Sequence, residues 1–178
     1  TALPHAKDAK NAMVVFPAYL AKLMLAYWFK QPDRAVEFAR SAQLYRDGVL
    51  GIAYIALHNF YQSLALLATY PDANSRRQKQ ILDRVSIAQK QLARWAQSSP
   101  ANYRHCFELV AAEKARVLGQ TDLALSHYDR AIKQAQTAGF ACEEALAAEL
   151  AADCCFALGR DKLGQLYLAD ASRNYLHW

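Results

Sequence analysis

A chain of 178 residues, 54% of them apolar, is long enough to bury a sizeable core and short enough to be one domain. Six glycines and five prolines are too few for a loop-rich chain, and the Ala, Leu and Gln between them favour helix, so an all-α protein is expected. The formal charge of +5 excludes a strongly acidic chain, and its meaning depends on where the excess lies.

Eight helices are expected, paired as hairpins. The first runs from about Asp8 to Lys30, with Pro17 inside it as a kink or early break. Its Ala12–Phe29 run, AMVVFPAYLAKLMLAYWF, is nearly continuous apolar sequence. The run barely reaches the length that spans hydrocarbon and carries Lys22 near its middle, so burial between neighbouring helices is expected rather than a membrane. Gln31-Pro32-Asp33 is a turn, with Pro32 opening a second helix over about Pro32–Asp47 that buries Ala35, Val36, Ala39 and Ala42 and ends at Gly48.

The third helix, about Leu50–Thr69, is apolar almost all round, as a central helix should be. A turn at Tyr70-Pro71-Asp72-Ala73-Asn74 leads into the fourth, about Ser75–Gln97. There Ile81, Val85, Ala88, Leu92 and Trp95 form a narrow seam at steps of four and three. Ser98-Ser99-Pro100 supplies an N-cap and a first-turn proline. The remaining helices are about Pro100–Leu118, Thr121–Ala138, Ala141–Leu158 and Arg160–His177, with Gly119 and Gly139 as left-handed stops and Gly159 between the last two. No Gly/Ser linker divides the chain, so residues 1–178 are expected to form a single domain. A start at Thr1 and a stop at Trp178, near the end of an amphipathic helix, read as a piece of something larger; no secretory signal is visible.

Two stretches forty residues apart follow one template. Ala115–Ala131 reads ARVLGQTDLALSHYDRA and Cys155–Ala171 reads CFALGRDKLGQLYLADA. Leu118-Gly119 and Leu158-Gly159 end a helix; a small residue follows (Ala124, Gly164), then a bulky one (Tyr128, Leu168), then alanine (Ala131, Ala171). Asp33–Ala42, with Ala35 and Ala42 seven apart on one helix face, is a weaker third copy. A two-helix unit of this kind cannot bury its apolar face alone and stacks on copies of itself.

This spacing resembles the second half of a tetratricopeptide repeat, in which the glycine turns the chain, the alanines let helices approach and the aromatic fills the gap. Gly119, Ala124, Tyr128 and Ala131 match it; Gly159, Gly164, Leu168 and Ala171 match with two substitutions. The first-helix signature of Trp, Leu-Gly and Tyr is missing, and the step exceeds the usual repeat of about 34 residues. The resemblance implies a TPR-like α-α superhelix of about four hairpins. A second resemblance rests on DGVLGIAYIALHNFYQSLALLATYP (Asp47–Pro71), AEKARVLGQTDLALSHYDRAIKQAQTAGF (Ala112–Phe140), EEALAAELAADCCFALGR (Glu143–Arg160) and LYLADASRNYLHW (Leu166–Trp178). Together, in order, they are similar to the helical-repeat segment of large bacterial, notably cyanobacterial, multi-domain sensor kinases. There a serine/threonine-kinase-like domain and an AAA-type ATPase precede the repeats, and GAF and histidine-kinase domains follow. This resemblance implies a cytoplasmic, non-catalytic interaction and relay module whose partners are other domains of its polypeptide or another protein, with ATP chemistry carried elsewhere and no cofactor of its own.

Among groups that carry chemistry, His58-Asn59 sits inside an apolar helix and must find partners. It is either a recognition spot or a core histidine bonded to a carbonyl or an amide. Tyr54, His58, Tyr61 and Trp95 would line an apolar pocket if the chain were a small-molecule sensor. Glu113, Arg116 and Glu149 are candidates for partner contact, but ion pairing between repeats is the expected role of such residues, ahead of partner contact or catalysis. Glu144 and Glu149, five apart, share a helix face poorly as an acid/base pair. His105, Cys106, Cys142, Cys154 and Cys155 lack metal-ligand and disulfide-framework spacing, so reduced core thiols and no metal are expected. No phosphate loop, G-x-S-x-G or H-E-x-x-H occurs.

The fourth helix holds Arg76, Arg77, Lys79, Arg84, Lys90 and Arg94 against Asp83. Removing these from the totals of 21 and 16 leaves 15 of each sign, so the whole excess lies on this helix. Arg76, Arg77, Lys79 and Arg84 therefore form a basic surface. Without interleaved aromatics it reads as a solvated face or a site for an acidic protein rather than a nucleic-acid surface.

Overall fold

The computed structural model describes residues 9–49 and 52–177. Among them the chain is all-α, without a strand: α1 (Ala9–Trp28), α2 (Pro32–Gln43), a 3-10 turn (Arg46–Gly48), α3 (Ile52–Ala68), α4 (Ser75–Ser98), α5 (Pro100–Val117), α6 (Thr121–Ala138), α7 (Ala141–Ala157) and α8 (Asp161–His177). Asp8 and Leu50, the expected starts of the first and third helices, lie outside the described residues.

At three places the local structure settles or departs from the expectation. Helix α1 continues through Pro17. The acceptor that loses its helical partner there is the carbonyl of Met13, which belongs to an exposed residue. Helix α2 ends at Gln43 rather than Asp47, because Leu44 N–H donates to Ser41 and Tyr45 N–H to Ala42, tightening the last turn. At the start of α5 the Ser99 hydroxyl accepts from the Asn102 side chain at 2.9 Å and caps no backbone N–H. Asn74 does cap α4, accepting from Arg77 N–H at 2.9 Å.

One turn recurs four times among the described residues. After α5, Gly119 (φ +71°) donates to Arg116 and Gln120 to Ala115; after α7, Gly159 (φ +68°) donates to Phe156 and Arg160 to Cys155. After α1, Lys30 (φ +54°) donates to Tyr27 and Gln31 to Ala26. After α6, Gly139 (φ +77°) donates to Gln136 and Phe140 to Ala135, so one left-handed helix stop is written with glycine three times and with lysine once. Counting from Lys30, Gly119 and Gly159, Ala35, Ala124 and Gly164 stand at one position, and Ala42, Ala131 and Ala171 at another; all six are buried. Small residues there let the two helices of each hairpin approach closely. Gly164 faces the Phe156 ring so closely that a Cβ would come within 2.6 Å of it.

The helices gather into two compact units, Thr1–Ala88 and Gln89–Trp178, and the boundary falls inside α4 with no linker sequence. In the first, α1 packs on α2 and α3, and α2 on α3. Its core is built from Phe16, Leu20, Leu23, Phe60, Tyr61 and Leu64. In the second, α5 pairs with α6 and α7 with α8, and α7 also lies against α6 and α5. Helix α7 buries Ala145, Leu146, Ala147, Ala148, Ala151, Ala152 and Cys155, the mark of a helix covered on most sides. Tyr128 of α6 is 0% exposed, as are Ala124, Ala131 and Ala135 beside it. Its counterpart Leu168 on α8 is 47% exposed, because among the described residues no later helix covers that face. The expectation that Leu168 fills a gap as Tyr128 does is therefore corrected.

Candidate functional site

Within the second unit a cavity of about 380 Å³ opens where α5, the α5–α6 turn and α7 meet. Its polar wall comprises Glu113 and Arg116 of α5, Thr121 at the start of α6, and Asp153 and Cys154 of α7; Gly119, Leu150, Ala157 and Leu158 complete the lining. Glu113 and Asp153 are equivalent residues of successive hairpins, so the repeat places one carboxylate on each side of the junction.

The Glu113 carboxylate is buried, yet every oxygen is satisfied. Arg116 grips it with a two-pronged fork, Nε to Oε1 at 2.9 Å and Nη2 to Oε2 at 2.8 Å. Tyr128 donates its hydroxyl to Oε1. The expectation that such an acid pairs with a cation on the next repeat is corrected here: the guanidinium is one turn away on the same helix, and the contact to another helix is the tyrosine. Burial, with the Glu113 charge beside it, raises the Tyr128 phenol well above its ordinary range, so it remains a donor. Its bond to Glu113 keeps Arg116 charged. Burial also raises the Cys154 thiol, keeping it protonated and a poor nucleophile. Such a wall recognises a guest through fixed charges and donors.

A second buried carboxylate, Glu108, lies on α5. Arg104 Nε meets its Oε1 at 2.9 Å, while His127 Nδ1 and Arg130 Nε from α6 lie 2.7 and 3.0 Å from Oε2. Burial alone would raise Glu108; the bonds from His127 and Arg130 outweigh it and hold the carboxyl below its ordinary value. The cluster ties α5 to α6. Sequence reasoning missed Glu108, Arg104, His127, Arg130 and Asp153, and read Cys154 as a core thiol alone. The one signal for Asp153 was its forty-residue offset from Glu113.

The other expected candidates do not gather into a site. His58 is fully buried and its Nε2 donates to the Ala39 carbonyl of α2 at 3.0 Å, which makes it a core histidine; Asn59 is buried next to it. Burial lowers the His58 imidazole against the pull of that carbonyl. Tyr61 is buried, with Trp28 Nε1 donating to its hydroxyl at 3.3 Å, whereas Tyr54 is exposed. An apolar pocket built on Tyr54, His58, Tyr61 and Trp95 is thus corrected: His58 and Tyr61 fill the first unit's core, and Trp95 in the second unit packs beside Tyr103. Glu149 accepts from the Tyr175 hydroxyl at 2.7 Å, joining α7 to α8. On α4, Arg76, Lys79 and Arg84 are exposed and Arg77 half-buried. Among the described residues no group of three or more His, Cys, Asp or Glu could hold a metal, and no helix is long and apolar enough to cross a membrane. Comparison with protein-family models, curated proteins and solved structures finds no match.

Proposed function

We propose that this chain is a non-catalytic interaction and signal-relay module, built from TPR-like hairpins of an α-α superhelix within a cytoplasmic multi-domain signalling kinase. The observation that carries the relay is the position of the cavity. Its walls belong to two successive hairpins, Glu113 and Arg116 to α5–α6 and Asp153 and Cys154 to α7–α8. A guest seated there touches both and changes how one sits on the other, and in stacked repeats such a change passes to whatever is attached. The sensor-kinase setting rests on the sequence resemblance. The cytoplasmic setting is in keeping with four free cysteines.

Asp153→Arg tests the proposal, because it puts a long cationic side chain at an exposed position of the cavity wall. In the parent polypeptide, phosphoryl output should lose its response to stimulus while basal output and fold are retained. Output and response identical to wild type would sink the relay. A small-molecule sensor is the alternative, favoured by the cavity volume, which lies within the range of about 300–1,000 Å³ that holds metabolites. A metabolite that raises the melting temperature of this chain, with the gain lost in Asp153→Arg, would favour the sensor.

A further inference from the structure

The buried Glu108 carboxylate gathers more donors than it can satisfy, in a cluster none of whose residues lines the cavity between the hairpins. Glu108 is 2% exposed, whereas the side chains of Arg104 and Arg130 that meet it remain 44% and 45% exposed. The conflict lies at His127 Nδ1, which stands 2.7 Å from Glu108 Oε2 and also 2.7 Å from Arg130 Nη2. An ionised carboxylate only accepts and a guanidinium only donates, so Nδ1 serves the first with its hydrogen in place and the second only without it. A buried anion left without a donor costs more than an exposed cation that turns to solvent. Nδ1–H therefore donates to Glu108, and Arg130 Nη2 is left facing a nitrogen that cannot accept. Arg104 is in a similar position. Its Nε donates to Glu108 at 2.9 Å and its guanidinium lies 5.5 Å from the Phe107 ring centroid, but among the described residues its two Nη groups meet no acceptor. Two guanidiniums against one carboxylate also leave a positive charge at the surface. Asp129, the acid beside Arg130 in sequence, already accepts from the Tyr167 hydroxyl at 2.5 Å.

We infer that Arg104 and Arg130 bind a phosphate-class oxyanion, a phosphate monoester or free phosphate, across the outer edges of their guanidiniums. The Nε of each is fixed to a different oxygen of Glu108, at 2.9 and 3.0 Å, so the two nitrogens stand at most about 8 Å apart. One tetrahedral anion spans that gap with hydrogen bonds of about 2.8 Å to two of its oxygens. A third oxygen finds a donor in the exposed Ser126 hydroxyl, which accepts from Arg130 Nη1 at 2.9 Å and keeps its own hydrogen. A planar carboxylate brings two oxygens and one charge, and so meets fewer of these donors than a phosphate with three oxygens and a charge near two. Because Glu108 already holds both guanidiniums, the guest has no long side chain to order when it binds.

Titration of the isotope-labelled chain with inorganic phosphate at constant ionic strength tests this, read by NMR on the arginine Nε–H signals. Those of Arg104 and Arg130 should move together and saturate, with a midpoint of about 1 mM. Arg104→Gln, followed on Arg130, should raise the midpoint at least about tenfold, and Arg130→Gln, followed on Arg104, should do the same. Arg104→Gln leaves Glu108 its two α6 partners, so the test stands even if circular dichroism shows that Arg130→Gln does not fold. O-phosphoserine titrated in parallel separates the two sources. Binding tighter than that of inorganic phosphate points to a phosphorylated side chain, equal or weaker binding points to the free ion, and either result supports the site. Signals that move without saturating up to about 50 mM, a midpoint unchanged in Arg104→Gln, or acetate binding as tightly as phosphate would each overturn the inference.

Discussion

The Tyr128 hydroxyl of α6 donates to the buried Glu113 carboxylate of α5, so the residue that fills the gap between hairpins also satisfies the acid lining the cavity. Packing and site chemistry are thereby joined. Tyr128→Phe keeps the ring and removes one donor from a buried charge, which should cost about 1–2 kcal/mol in denaturant unfolding. A double-mutant cycle with Glu113→Gln should return a coupling of about 1 kcal/mol, and additive effects would show that the two do not cooperate.

The turn after α1 uses Lys30 at φ +54° where the equivalent turns use Gly119 and Gly159. A side chain in the left-handed region costs about 1–2 kcal/mol, partly offset for glycine by its greater freedom when unfolded. Lys30→Gly should therefore stabilise the protein by about 0.5–1 kcal/mol. Gly119→Ala should destabilise it by a similar amount through backbone strain alone, since an added Cβ meets nothing within 4 Å. The urea midpoints of the two variants should move in opposite directions.

Acid should weaken the fold as the unfolded chain protonates the histidines that the native chain keeps neutral. Burial pulls the His105 imidazole, set against the Phe140 ring at 4.5 Å, down from 6.5 to about 4, and lowers His58 as well. The unfolded chain takes up protons that the native chain refuses, so stability is fully present above pH 6.5 and falls as pH drops towards 4. For His105 the whole window corresponds to roughly 3 kcal/mol. Glu108, held below its ordinary value, loses its contribution only at lower pH. Glu143, raised by burial, acts in the opposite sense. Between pH 6.5 and 4.5 the melting temperature of wild type should fall, and that of His105→Phe should fall less. Equal slopes would contradict the assignment.

Helices α4 to α8 were legible in the sequence because Pro100, Gly119, Gly139 and Gly159 punctuate them and the template repeats at forty residues. The end of α2 was not: no breaker precedes Gly48, and the tightening at Leu44 and Tyr45 has no composition of its own. The left-handed stop at Lys30 stayed hidden because lysine there pays a strain that only backbone geometry reveals. His58 was visible as a polar residue in an apolar run, but the Ala39 carbonyl that receives it lies on another helix. Glu113 and Arg116 were visible as charged candidates, but their pairing within one helix was read as pairing between repeats. The cavity they line was not visible, since Asp153 and Cys154 reach it only when α7 packs beside α5.

Denaturant unfolding of alanine variants at positions 128 and 168 reads the hairpin stacking most directly, because the two residues are equivalent in the repeat and differ in whether a helix lies over them. Tyr128→Ala should cost about 3–5 kcal/mol and Leu168→Ala less than about 1 kcal/mol. Equal losses at both positions would contradict the account, for then α7 would not be what covers α6.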